Sequence, residues 1–140
     1  MSSFLQPFAE RFATLDVTSL HRLDELYSQD VHFQDPLHRV EGLAELRRYF
    51  ESIYLNVREL RYDFHDFDEV AQGSGYLRWT LNFRHARLAG GGLISLDGCS
   101  FLRWSERVDY HRDYFDAGAL LYEHLPVMGG VIGWLKRRLA

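Results

Sequence analysis

Residues 23–36 read LDELYSQDVHFQDP, and a change of hydrophobic period inside this stretch decides how the rest of the chain is read. Leu20, Leu23, Leu26 and Tyr27 share one face at helical spacing, with Thr18 or Ser19 placed to cap the helix. From Asp30 the spacing drops to two. Val31 and Phe33 alternate with His32 and Gln34, which predicts a short strand stopped by Pro36.

Outward from this point, Phe4, Phe8, Phe12 and Leu15 predict an earlier amphipathic helix. After Gly42, the stripe Leu43, Leu46, Phe50, Ile53, Tyr54 and Val57 predicts a third helix of about four turns. The second half alternates instead. Strands are expected over 60–70, 74–85, 93–104 and 108–115, with Gly90-Gly91-Gly92 and Ser105-Glu106-Arg107 as turns. Helices followed by an antiparallel meander indicate an α+β fold, with the helices on one face of a curved sheet. The whole chain, 1–140, reads as one domain with a core over about 5–118. A helical extension over about 119–140 is broken at Pro126 and at Gly129-Gly130.

Composition narrows the function. The net charge of −4 argues against a nucleic-acid partner. The one basic run, Lys136-Arg137-Arg138, is short. A single cysteine, Cys99, excludes an internal disulfide framework and suits a reducing cytoplasm. The first residues lack the charged-then-apolar pattern of a signal peptide, and no apolar run approaches a membrane span. Aromatic residues make up 15% of the chain, enough to fill a core or to line a pocket.

Three strings, taken in order, carry a family resemblance: Leu23-x-x-Leu26-Tyr27-x-x-Asp30-Val31-x-Phe33-x-Asp35-Pro36, Gly42-x-x-x-Leu46-x-x-Tyr49-Phe50, and His111-Arg112-Asp113-Tyr114-Phe115-Asp116. Their order and spacing resemble the nuclear transport factor 2-like (SnoaL-like) superfamily, which implies a cone-shaped α+β barrel around one small-molecule pocket. Likeness to ketosteroid isomerase makes Asp35 the match for that family's general base. Its two oxyanion donors fall on Phe12 and near Ser100 or Cys99, neither an equivalent group. Likeness to limonene epoxide hydrolase makes Asp113 the match for a water-activating aspartate and Arg78 the match for its arginine. The position of that family's proton-donating acid is Thr80.

Each candidate has a plain reading beside the chemical one. Asp35 either caps a turn or serves as a pocket acid. Asp113, mid-strand, is either an acid–base group or half of a buried ion pair with Arg78. Alternation puts His111, Asp113 and Phe115 on one strand face, which the resemblance turns toward the cone interior. His111 is a proton shuttle or a hydrogen-bonded core residue. Phe12, Tyr54, Arg78, Thr80, Ser100 and Phe115 are expected to line the pocket, whereas Trp79, Trp104 and Tyr76 fit the core better. No spacing suggests a metal site, and no cofactor motif is present. The expected ligand is small and apolar or partly polar. Three function classes stay open: an enzyme using Asp35 and Asp113 with His111 assisting, a binding or sensing module, and an interaction protein. A homodimer is expected through the outer sheet face. The C-terminal stretch reads as a lid or partner contact rather than a membrane-surface helix.

Overall fold

The computed structural model describes residues 4–118, 134–135 and 137–139, and in it the two hydrophobic periods become two layers. α1 (Leu5–Ala13) turns Leu5, Phe8, Ala9 and Phe12 inward. Each large side chain of this kind contributes roughly 1.5–3 kcal/mol when fully buried. The second expected helix is shorter than its pattern implied. Leu20–Arg22 form a 3-10 turn, α2 is only Leu23–Leu26, and Tyr27 already has extended backbone, with φ −121° and ψ 146°. Tyr27 therefore opens β1 (Tyr27–Gln34) before Asp30, with Gln29 and Asp30 both exposed and the register to the last strand shifting between Tyr27 and His32.

A short β2 (Arg39–Glu41), not expected from the pattern, pairs back on β1. Gly42 then makes the corner with φ 85°, a left-handed conformation suited to glycine, and donates its N–H to the Val31 carbonyl at 2.8 Å. α3 (Leu43–Asn56) follows. β3 (Arg58–Ala71), β4 (Ser74–Arg84), β5 (Leu93–Trp104) and β6 (Val108–Phe115) complete the meander.

The six strands form one sheet in the order β2-β1-β6-β5-β4-β3. β1 lies parallel to β6, and every other neighbouring pair is antiparallel. Irregular registers in β3 bend the sheet around α1 and α3. One apolar cluster joins the helices to the inner face, from Leu5 and Phe12 through Leu46 and Phe50 to Leu77, Trp79 and Leu102.

β4 shows how alternation sets the faces. Leu77, Trp79 and Phe83 point inward and are buried, while Tyr76 is 40% exposed on the outer face, so Tyr76 is not a core residue. Trp79 fits because Gly98 stands opposite it in β5. A Cβ at Gly98 would come within 2.4 Å of the Trp79 ring. Trp104 packs inward as expected, stacked on Phe4 with ring centroids 4.5 Å apart.

No helix among the described residues is long and apolar enough to cross a membrane. The expectation for the C-terminal extension falls almost wholly outside the described residues. Trp134–Leu135 and Arg137–Leu139 are helical.

Candidate functional site

The inner face of β6 carries the first part of the site. His111 and Asp113 both turn inward, with only 4% and 14% of their side chains exposed. His111 Nε2 lies 2.7 Å from Asp113 Oδ1, and His111 Nδ1 lies 2.8 Å from the Tyr27 hydroxyl. From β5, Ser100 donates its hydroxyl to the same Asp113 oxygen at 2.5 Å. Trp79 in turn donates its indole N–H to Ser100 Oγ at 2.9 Å.

Burial and the charge of Asp113 push the Tyr27 phenol well above its usual range, so it stays a neutral donor. Because a carboxylate only accepts, His111 Nε2 and Ser100 Oγ are the donors to Asp113 Oδ1, and the Tyr27 hydroxyl shares a hydrogen bond with His111 Nδ1. Two donors thus converge on Asp113 Oδ1, while Oδ2 accepts no hydrogen bond from any described residue.

Asp35 sits differently, at the end of β1. Its Oδ1 accepts the backbone N–H groups of Leu37 and His38 at 2.8 and 2.7 Å. Its Oδ2 accepts the Tyr49 hydroxyl from α3. Burial first, then this bond, raises the Tyr49 phenol far above its ordinary value. Asp35 closes the turn before β2 and ties it to α3, so both of its oxygens are occupied.

Both carboxylates border one cavity of about 260 Å³. Its walls are apolar and aromatic, formed chiefly by Phe33, Phe50, Tyr62, Trp79, Leu96 and Phe115. Val57, Leu60, His85 and Leu88 line it at the ends of α3 and β4 and the start of β3. A much smaller cleft of about 10 Å³, room for about one water, lies deeper and is bordered by Phe12, Ser100, His111 and Asp113. Tyr62 and Trp79 border both spaces. The Tyr62 hydroxyl has no hydrogen-bond partner among the described residues. Burial, with Asp113 adding, raises its phenol well above the usual range, so it too remains protonated.

Asp35, Asp113 and Phe115 therefore meet at the cavity, and His111, Ser100 and Phe12 meet at the cleft behind Asp113. Arg78 and Thr80 do not join them. Both stand on the outer face of β4: Arg78 is paired with Asp66 at 2.5 Å, not with Asp113. The Thr80 hydroxyl donates to Asp97 at 2.6 Å. The physical reason is the alternation of β4, whose apolar set, Leu77, Trp79, Leu81 and Phe83, takes the inner face. Tyr54 packs behind Phe50, with ring centroids 6.5 Å apart, and lines neither space. Burial, with the Asp16 charge adding, pushes its phenol up to about 12. Tyr27, Tyr49 and Tyr62 were not foreseen as site residues.

Among the described residues, no three His, Cys, Asp or Glu side chains converge in a way that could hold a metal ion. Asp113 and Tyr62 both border the cavity, and neither Asp113 Oδ2 nor the Tyr62 hydroxyl has a hydrogen-bond partner among the described residues, a combination of acceptor and donor suited to exchanging a proton with a bound molecule.

Comparison with known proteins places this geometry among relatives. The SnoaL-like domain model matches residues 6–107. No curated protein matches the chain significantly. Among solved structures, a protein of ketosteroid isomerase-like fold from Catenulispora acidiphila, in complex with trimethylamine, superposes with a TM-score of 0.74 at 11% identity, covering 89% of this chain and 94% of that one. A candidate SnoaL-like polyketide cyclase from Shewanella putrefaciens gives 0.72 at 17% identity, covering 91% and 99%. An LEH-like epoxide hydrolase of M. tuberculosis gives 0.67 at 15%, covering 90% and 92%. At such identities the likeness establishes the cone-shaped α+β fold alone.

Proposed function

The chain belongs to the SnoaL-like domain family, and from that premise we propose that it binds a small apolar molecule in the cavity and catalyses a proton transfer on it. One observation carries this reading: Asp113 is held by donors on one oxygen while the other accepts none from any described residue, in a carboxylate that borders the apolar cavity. Asp113 is the base. Tyr62, kept protonated, offers its hydroxyl to the oxygen on which negative charge develops, a part that Phe12 cannot take. His111 and Tyr27 are positioning residues that orient the Asp113 carboxylate from behind. Asp35 is a wall and a turn closure. The cavity lies just under the roughly 300–1,000 Å³ of drug-sized pockets, which suits a compact substrate. Isomerisation, hydration and cyclisation all contain such a step.

The test is solvent-deuterium incorporation into a panel of small cyclic and aryl ketones. Wild-type protein is expected to promote exchange. Asp113→Asn should lose about 10²–10⁴-fold of the rate, and Tyr62→Phe about 10²–10³-fold. Exchange that persists in Asp113→Asn would sink the assignment. Ligand binding of equal strength in wild type and Asp113→Asn, with no exchange in either, would favour a binding or sensing module instead. The outer sheet face, with Arg103 4.3 Å over the Tyr110 ring and Arg112 4.9 Å over Tyr114, is the surface we assign to self-association, and light scattering of the purified chain tests it. The lone cysteine, Cys99, suits a cytoplasmic protein.

A further inference from the structure

Beside the cavity lies an open groove of about 810 Å³ bordered by Arg58, Arg84, His85 and Arg87. The two spaces share His85. Chain neighbours divide between them: Val57 lines the cavity and Arg58 the groove, and Leu88 lines the cavity and Arg87 the groove. The boundary is therefore apolar on one side and cationic on the other.

The charge there is not balanced. Register places Arg58 directly opposite Arg84 across β3 and β4, a like-charge pairing that is unfavourable unless something offsets it. Glu59 offsets Arg84 alone, through an ion pair to its Nε. The Glu59 backbone has a positive φ of 54°, an uncommon conformation for a non-glycine residue. The guanidinium groups of Arg58 and Arg87 have no carboxylate partner among the described residues, and both side chains are exposed. His85 Nδ1 accepts the Arg87 backbone N–H at 3.1 Å, which leaves Nε2 to carry its proton as a further donor. In a chain of net charge −4, this local positive excess stands out against the whole.

We infer that the ligand of the cavity is an amphipathic anion, whose carboxylate or phosphate is held by Arg58 and Arg87 in the groove while its apolar body enters the cavity. The inference rests on the reading of the cavity as a ligand site. It orients the ligand: the charged end stays at the groove, and the uncharged end is the part that reaches Asp113.

Calorimetric titration with octanoate, 1-octanol and octylammonium separates the possibilities. Octanoate should bind wild-type protein roughly tenfold more tightly than 1-octanol at low ionic strength, with the advantage shrinking as salt is added. In Arg58→Gln/Arg87→Gln the octanoate advantage should vanish while 1-octanol binding is unchanged, which also shows that the variant is folded. Equal binding of octanoate and 1-octanol by wild type overturns the inference and leaves the cavity reading standing. So does an octanoate advantage that survives the double substitution. Octylammonium binding most tightly overturns it as well, because the interior carboxylates would then set the ligand's charge. Binding of none of the three overturns the cavity reading and this inference together.

Discussion

Asp35 and Asp113 border the same cavity and differ in what their neighbours have already claimed. Asp35 accepts two backbone N–H groups on one oxygen and the Tyr49 hydroxyl on the other. Among the described residues, Asp113 accepts the Ser100 hydroxyl and the His111 N–H on one oxygen only. A buried carboxylate with both oxygens engaged acts as a structural clamp, whereas one with an oxygen left unbonded keeps acceptor capacity for a ligand. Burial and location are shared, so the hydrogen-bond census separates the two.

The comparison can be broken most directly by truncating each acid. Asp35→Ala leaves two backbone N–H groups and a phenol without their acceptor, and should cost about 2–4 kcal/mol in denaturant unfolding. Asp113→Asn keeps an acceptor oxygen for Ser100 and His111 and should cost less than about 1 kcal/mol. Equal losses would mean that both acids are structural. Next in size is Gly98→Ala, whose methyl would collide with the Trp79 ring. About 1–3 kcal/mol of destabilisation is expected, together with displacement of the indole N–H from Ser100, read as a shifted indole resonance by NMR. An unmoved indole would show that Trp79 does not anchor the Asp113 side.

A third measurement joins both sides. The phenols of Tyr27, Tyr49 and Tyr62 are raised above the ordinary tyrosine value of about 10, mainly by burial. The protonated form is favoured in the folded state, so this stability is fully present below pH 10 and is lost as pH climbs above it. Absorbance at 295 nm should show these phenols ionising only as the protein unfolds. Ionisation at pH 10 in the folded chain would contradict the buried network. The smallest effect concerns Cys99, whose thiol is raised by partial burial and then by the Asp113 charge. Iodoacetamide should react more slowly than with an exposed thiol at pH 8, and Asp113→Asn should speed the reaction by no more than about threefold. No change would show that the Asp113 charge is not felt across the sheet.

Much of the fold was legible because its hydrophobic periods are clean. β5 and β6 begin and end where alternation predicted, and period two put His111, Asp113 and Phe115 on one face, which the family resemblance turned inward. Arg78 and Thr80 follow the family resemblance into the pocket, but β4's own apolar set, Leu77, Trp79, Leu81 and Phe83, takes the inner face and turns both outward. Tyr27 was hidden by its neighbours. Leu20, Leu23 and Leu26 extend a helical stripe to it, yet the backbone leaves the helix at that residue. What Asp35 and Asp113 do could not be read locally, since Tyr49, Ser100 and Trp79 reach them from other elements.

The parallel pairing of β1 with β6 has a bearing on how the chain is made. Tyr27 meets His111 across 84 residues, and β1 finds its neighbour only when the last strand has emerged from the ribosome. Until then β1 exposes an edge, α1 has an unfinished sheet to pack on, and the Tyr27 hydroxyl has no imidazole to bind. Assembly is therefore dominated by distant contacts and should be slow for a chain of this size. The Asp113 cluster is then among the last features to form, completed by the same event that closes the sheet.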